Sequence, residues 1–233
     1  MASLKDLQTT LGIHFRDETL LKQALTHPSY INENPASASA DNERMEFLGD
    51  ALLSLIVAEK LYHEYPDYPE GKLTEIKISL VRQEKIAEKA AALGLGEHLS
   101  LGKGEASSGG RGKQNNLADA FEALLAAVFL DQGMDATRDF IIRNYETDLQ
   151  AVKSGKYAPN FKAMLQELTQ AEFKRLPEYE VVESSGPDHD RKFVVAVSLG
   201  DVVFGIGSGK SKKIAESEAA RIAYSKLTAK TVE

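Results

Sequence analysis

The feature that most constrains this chain is an acidic face on a helix that is otherwise apolar. Glu43, Glu46 and Asp50 are spaced i, i+3 and i+7, so they share one face of a helix. The following run, residues 51–58, is apolar almost all round, which predicts a central and buried helix. Because a buried ionised carboxylate is unstable without a partner, these acids must meet either water or a cation.

A second predicted helix repeats the pattern. Asp119 and Glu122 are spaced i and i+3 and are followed by an apolar run over residues 123–130. In one interpretation each acid lies near a helix end, where it reaches water or caps the N-terminus. In the other, the two acidic faces converge on a divalent cation. Oxygen ligands without histidine or cysteine suit Mg²⁺, with Mn²⁺ as a substitute, rather than zinc. Spacing alone leaves both interpretations open.

Composition excludes several other classes of protein. The 233 residues include no cysteine, which removes disulfides, thiolate zinc sites and cysteine nucleophiles, and suits a reducing cytoplasm. The N-terminus lacks a signal-peptide pattern, and no apolar stretch reaches the roughly 20 residues that span a bilayer, so we expect no membrane association. The net charge of −7 argues against nucleic-acid binding unless bound cations change the balance.

The pattern of apolar residues predicts two domains joined by a linker. Residues 1–150 read as an all-helical domain, with helices over 4–11, 19–25, 43–62, 73–93, 117–130 and 136–149. Residues 151–158 are small and polar and precede a proline, as in a linker. Residues 159–229 predict a helix over 160–173, strands over 179–184, 192–199 and 201–206, and a helix over 212–227. The link at 199–201 is tight enough for a hairpin, and one apolar stripe of the last helix includes Ile214, Ala215 and Ala219. The fold class is therefore multidomain: an all-α domain followed by a small α+β domain of order α-β-β-β-α.

Five sequence blocks carry a family resemblance. Residues 42–62, NERMEFLGDALLSLIVAEKLY, resemble the signature helix of bacterial ribonuclease III. The accompanying blocks occur in the family's order: ALTHPSY at 24–30, PEGKLTEIKISLV at 69–81, LGKGE at 101–105 and LADAFEALLAAVFLDQG at 117–133. The resemblance extends to the second domain and implies a metal-dependent endonuclease for double-stranded RNA. Its products would carry 5′-phosphate and 3′-hydroxyl ends with short 3′ overhangs, in ribosomal and messenger RNA processing.

The resemblance also implies roles for the acids. Glu46, Asp50, Asp119 and Glu122 match the metal ligands of the family, and Asp50 and Glu122 match its catalytic acid–base groups. Two further acids and an aromatic residue match family positions outside this set. Glu43 and Glu70 would line the cleavage valley, and Phe47 would pack at the interface of a homodimer. For Phe47 the alternative is an ordinary core phenylalanine.

The α-β-β-β-α segment resembles a double-stranded RNA-binding domain. Three lysines at the start of its last helix would add their charges to the free N–H groups and the positive end of the helix dipole. That arrangement suits phosphates across the narrow major groove of A-form RNA, although a solvated lysine-rich face is the alternative. The predicted RNA contacts are Gln166, Glu167, His189, Lys210, Ser211, Lys212 and Lys213.

Two glycine-rich runs each allow a second interpretation. Residues 205–211, GIGSGKS, resemble a nucleotide-binding P-loop, but the first glycine of that motif would fall on Phe204, so we expect no nucleotide cofactor. The basic run 102–113 predicts a mobile surface loop, with RNA contact as the alternative.

Two alternative functions are disfavoured. A non-catalytic RNA-binding protein is disfavoured by the intact acids. A hydrolase for small phosphorylated substrates is disfavoured by the RNA-binding domain.

Overall fold

A computed structural model describes residues 3–35, 40–154, 160–187 and 191–230. The chain divides into two compact units, Met1–Tyr157 and Ala158–Glu233. Over the described ranges, no helix combines the length and the apolar character that crossing a bilayer requires.

The first unit is helical, as predicted, and is built around two long central helices. Helix α9 is the most buried element, with side chains such as Phe121 and Leu124 wholly covered, and it packs along α4. The α-helices are α1 Leu4–Leu11, α2 Glu18–Ala24, α3 Pro28–Glu33, α4 Glu43–Glu64, α5 Glu70–Val81, α6 Gln83–Ala92, α7 Leu95–His98, α8 Lys103–Ser107, α9 Gln114–Gln132 and α10 Met134–Lys153.

The structure corrects three predictions in this unit. The single helix predicted over 73–93 is two helices, because Arg82 has extended backbone angles, φ −69° and ψ 149°. Helix α10 continues to Lys153, so the first three residues of the predicted linker are helical. The run 102–113 is not an open loop. It forms α8 and a 3₁₀ turn at Gly110–Gly112, and the carboxylate of Glu33 accepts a 2.8 Å hydrogen bond from the N–H of Lys103.

The second unit has the predicted α-β-β-β-α order. The antiparallel sheet has the order β1-β2-β3; α12 packs against β2 and β3, and α11 packs against α12. In its register Val195 of the central strand lies opposite Val181 and Gly207. The predicted tight turn between the last two strands contains Gly200, whose φ of 60° favours glycine. The elements are α11 Phe161–Phe173, β1 Glu178–Ser185, β2 Lys192–Leu199, β3 Val202–Gly209 and α12 Lys212–Lys230.

Alternate glycines on β3 explain the pattern that resembles a P-loop. A Cβ atom at Gly207 would lie 2.1 Å from the backbone nitrogen of Ala219, and one at Gly205 would lie 2.4 Å from its carbonyl oxygen. These glycines therefore allow α12 to lie directly against β3. Ala215 and Ala219 are buried at this contact, as predicted. Ile214 was predicted on the same stripe and is instead 54% exposed, in the first turn of α12.

Candidate active site

Asn42 fixes the start of α4, where the acidic face begins. Asn42 is 3% exposed, and its backbone N–H and side-chain amide donate to the carbonyls of Thr26 and Ala24, at 2.9 and 3.3 Å. Its own carbonyl accepts hydrogen bonds from the N–H groups of Met45 and Glu46. The first turn of α4, which carries Glu46, is therefore held against the body of the unit.

Gly49 is the point at which α4 meets α9. A Cβ atom there would lie 1.8 Å from the carbonyl oxygen of Glu122, so only glycine permits this approach. The close contact places Glu46 and Asp50 of one helix beside Asp119 and Glu122 of the other. The two acidic faces that the sequence predicts do converge.

The acids line a cavity of about 540 Å³. Single carboxylate oxygens of Glu46, Asp119 and Glu122 lie within 4.8 Å of one another. Asp50 is exposed and lines the same cavity outside this group of three, and Glu43 lies exposed at its edge. Five of the six predicted acids are therefore brought together. The whole lining consists of Glu43, Glu46, Phe47, Asp50, Val81, Gln83, Ile86, Ala118, Asp119 and Glu122.

Burial and mutual repulsion disfavour the charged form of these carboxylates. Glu122 is 9% exposed; burial first, and then the charges of Asp50, Glu46 and Asp119, raise its pKa to about 8. The pKa of Glu46 is raised for the same reasons, with burial again the larger cause. Burial also raises the pKa of Asp119, although nearby His27 acts in the opposite direction.

For Glu122 these observations argue against the helix-end interpretation. Glu122 lies in the interior of α9, so capping of a helix end does not explain it. Three clustered carboxylates without nitrogen or sulfur ligands form a donor set that fits a hard divalent cation. A cation there would offset the repulsion that adds to burial in raising the pKa values of Glu122 and Glu46.

The structure does not bring Glu70 to this cavity. Glu70 begins α5 and accepts a 2.9 Å hydrogen bond from the hydroxyl of Thr74. It lines a separate recess of about 350 Å³ that includes Leu55 and Tyr62. Phe47 is 81% exposed, so the alternative of an ordinary core phenylalanine is wrong.

Two residues at the cavity were missed from the sequence. Gly49 lies inside the signature run, but nothing in the run reveals which neighbour approaches it. Gln83 lines the cavity because the chain breaks at Arg82. No glycine or proline marks that break, so the periodicity gave no signal for it.

The second unit places most of the predicted RNA contacts on the surface of two helices. Gln166 and Glu167 are exposed on α11. The Ser211 hydroxyl accepts a hydrogen bond from the N–H of Ile214 at 3.3 Å, so this residue also caps α12. His189 lies outside the described residues. The exposed lysines at the start of α12 are Lys210, Lys212 and Lys213.

Comparisons with known proteins give the same assignment for both units. A family model described as Ribonuclease-III-like matches residues 17–149, and one described as double-stranded RNA binding motif matches residues 161–227. A protein named Ribonuclease 3 from Dehalococcoides mccartyi is 48% identical over 223 residues, covering 96% of this chain and 94% of that protein. The chain belongs to the ribonuclease III family.

Further relatives agree with this ribonuclease III assignment. Ribonuclease 3 of Treponema denticola is 43% identical over 96% of this chain and 91% of its own. A nuclease domain of ribonuclease III from Campylobacter jejuni, whose description refers to a region involved in dimer formation, has a TM-score of 0.58 and 35% identity. It covers 62% of this chain and 97% of its own. The predicted function is confirmed: this ribonuclease III is an endoribonuclease for double-stranded RNA.

Proposed function

We propose that the acidic cavity is where RNA is cut, and that Glu46, Asp50, Asp119 and Glu122 hold Mg²⁺, or Mn²⁺ in its place. The observation that carries this proposal is the cluster of three carboxylates within 4.8 Å at a contact between two apolar helices. A bound divalent cation would neutralise phosphate charge and lower the pKa of a coordinated water.

The chain's own residues contribute proton transfer and shape. In the cation-free cavity, burial and the neighbouring carboxylates raise the pKa of Glu122 to about 8, and a bound cation would favour its ionised form, which can accept a proton. Asp50 is exposed in the same cavity and can accept a proton from an entering water. Val81, Ile86 and Ala118 form apolar parts of the wall and limit access of water from that side.

A homodimer is the second part of the proposal. Phe47, Leu55 and Tyr62 are 81%, 56% and 69% exposed along α4, and large exposed apolar side chains mark contact surfaces. Phe47 also lines the acidic cavity, so a partner packed on this face would reach the edge of the site. Glu70 lies in the recess beside Leu55 and Tyr62 and would be covered. Two sites facing across one duplex account for products with 5′-phosphate and 3′-hydroxyl ends and short 3′ overhangs.

We assign the predicted contacts of the second unit to RNA binding. The exposed lysines at the start of α12 suit phosphates, and Gln166 and Glu167 on α11 suit a minor groove and its 2′-hydroxyls. His189 remains a prediction from the loop sequence. A role in ribosomal and messenger RNA processing in the cytoplasm completes the proposal and rests on family membership.

The test is cleavage of long duplex RNA in Mg²⁺, in Ca²⁺ and in EDTA, by the wild-type protein and by Glu122→Gln. We expect cutting only by the wild type in Mg²⁺, with binding retained by the variant. Glu97→Gln is the matched control, because Glu97 is exposed on α7 and does not line the cavity. Binding without cutting under all conditions, or normal cutting by Glu122→Gln, would contradict the proposal.

The homodimer has its own test. Phe47→Ala removes the most exposed of the three apolar side chains on α4, so we expect a weaker dimer in sedimentation equilibrium. Leu130→Ala is the control, since Leu130 is also exposed, at 53%, but lies on α9. Equal dimer affinity for wild type and Phe47→Ala would show that this face is not the interface.

A further inference from the structure

Gln83 differs chemically from every other residue that lines the acidic cavity. Five of the described lining residues are carboxylic acids and four are apolar; Gln83 alone has a neutral polar side chain. An ionised carboxylate only accepts hydrogen bonds, whereas a carboxamide also has two N–H donors. Gln83 is therefore the one lining side chain that can donate a hydrogen bond to an anion when the acids are ionised.

The backbone holds Gln83 at this place. It is the first residue of α6, directly after the extended Arg82. The carbonyl of Arg82 accepts hydrogen bonds from the N–H groups of Lys85 and Ile86, at 2.9 and 3.1 Å. Ile86 is buried and lines the same cavity, so the first turn of α6 forms part of the wall.

Helix α6 is itself tied to α10 by a largely buried cluster of charges. Asp148 of α10 is 8% exposed and pairs with Lys85, at 3.1 Å, and with Lys89, one turn further along α6. Burial acts to raise the pKa of Asp148, but hydrogen bonds from Lys89 and Lys85 lower it overall. The wall that carries Gln83 is therefore held in position before substrate arrives, as precise contacts require.

The side chain of Gln83 is available to a substrate. The residue is exposed, and its carboxamide makes no hydrogen bond to any of the described residues. The lysines nearest along α6 are engaged with Asp148 and do not line the cavity. A phosphate entering the site thus meets carboxylates that repel it and one neutral donor that does not.

We propose that the carboxamide of Gln83 donates a hydrogen bond to a phosphate oxygen of the RNA strand being cut. Gln83 is then a substrate-positioning residue beside the acidic cluster. A neutral donor serves here because it adds no positive charge to compete with a cation for the carboxylates. This inference rests on the acidic cavity being the place of cleavage.

Three variants test the contact in steady-state cleavage of a short duplex with one cutting site. Gln83→Leu removes the donors at similar size, and we expect kcat/KM to fall roughly tenfold, since the variant cannot make a hydrogen bond to a charged group. Gln83→Glu adds a carboxylate that repels phosphate and should reduce kcat/KM further. Gln114→Leu is the matched control. Like Gln83, Gln114 is exposed and is the first residue of a helix, here α9, and it follows a basic residue with extended backbone angles, Lys113. Unlike Gln83, it does not line the cavity.

A modified substrate separates phosphate contact from a structural role. A single methylphosphonate, which replaces one charged phosphate oxygen by a methyl group, is moved through the positions around the cut. At one position we expect the wild type to slow about tenfold and Gln83→Leu to slow no further, because the same hydrogen bond has already been removed.

Two results would overturn the inference. The first is a kcat/KM of Gln83→Leu equal to that of the wild type. The second is a Gln83→Leu variant that cuts slowly but is slowed by the methylphosphonate as much as the wild type is at every position. Normal cutting of the unmodified duplex by Glu122→Gln in the same assay would instead contradict the proposed site of cleavage.

Discussion

The charged side chains of the two units suit the phosphates of RNA in opposite ways. Residues 1–158 contain 17 basic and 24 acidic side chains, and residues 159–233 contain 11 of each. The first unit gathers its carboxylates where two apolar helices meet, and these carboxylates would repel phosphate unless a cation were bound. The second exposes lysines at a helix start and can meet phosphate directly. The net charge of the whole chain, −7, is that of the first part alone and therefore does not show the exposed lysines of the second unit.

The two units share one structural device despite this difference. In each, a glycine allows a helix to come so close that no side chain would fit. Gly49 does this between α4 and α9, and Gly207 does it between β3 and α12. In the first unit the close approach assembles the acids. In the second it sets where the lysine-bearing start of α12 lies on the sheet.

The largest expected effect is that of Gly49→Ala. Its Cβ atom would lie 1.8 Å from the carbonyl of Glu122, which is backbone and cannot rotate away. We expect α4 and α9 to separate, with cleavage reduced by at least about a hundredfold and a loss of roughly 3 kcal/mol in the free energy of unfolding of the first unit. Urea unfolding and a cleavage assay measure both, and Gly71→Ala, where a Cβ meets open space, is the control.

Gly207→Ala is expected to affect the second unit and not the first. The added Cβ would lie 2.1 Å from the backbone nitrogen of Ala219, so α12 must shift away from β3. We expect roughly 2 kcal/mol of destabilisation of the second unit and weaker binding of duplex RNA. The carboxylate cluster lies in the first unit, so cation binding should be unchanged. A variant with wild-type RNA affinity would show that this contact does not position the lysines.

A smaller effect is expected from Lys212→Ala combined with Lys213→Ala. Both lysines are exposed at the start of α12, so the change removes charge with little effect on packing. Binding should weaken for all duplex sequences alike, and the slope of log affinity against log salt should flatten by roughly 0.9 for each phosphate that is no longer neutralised. Filter binding over a salt series measures this slope. Weaker binding of one sequence only would contradict recognition by shape.

A further effect, which involves neither RNA nor a cation, is expected on the pH dependence of stability in EDTA. The pKa of Glu122 is raised from 4.5 to about 8, so its neutral form is favoured in the folded state. Its favourable contribution is complete below about pH 4.5 and is lost as pH rises through about 8. Glu122→Gln stays neutral, so its Tm should exceed that of the wild type at pH 8 and approach it near pH 5. A constant difference across this range would contradict the raised pKa.

Local sequence patterns predicted the elements well where each carries its own signal. Helix α1 and strand β2 have the predicted bounds, and the spacing of the acids placed them on the correct helix faces. Such features depend on periodicity within one segment, which the sequence displays directly.

What escaped prediction depends on contacts between distant segments. The break at Arg82 contains no glycine or proline, so packing rather than local preference ends α5 there. Gln83 reaches the cavity only because of that break. The sequence shows the glycines of β3, but it does not show that they contact the backbone of Ala219 on α12.

The central claim is that the carboxylates of the first unit form a cation site, and direct Mn²⁺ binding tests it most simply. Electron paramagnetic resonance measures free Mn²⁺ during titration of the RNA-free protein. We expect binding by the wild type and by the control Glu97→Gln, with affinity at least about tenfold weaker for Glu122→Gln and for Glu46→Gln, each of which lacks one of three clustered ligands. Equal Mn²⁺ affinity for all four proteins would contradict the claim.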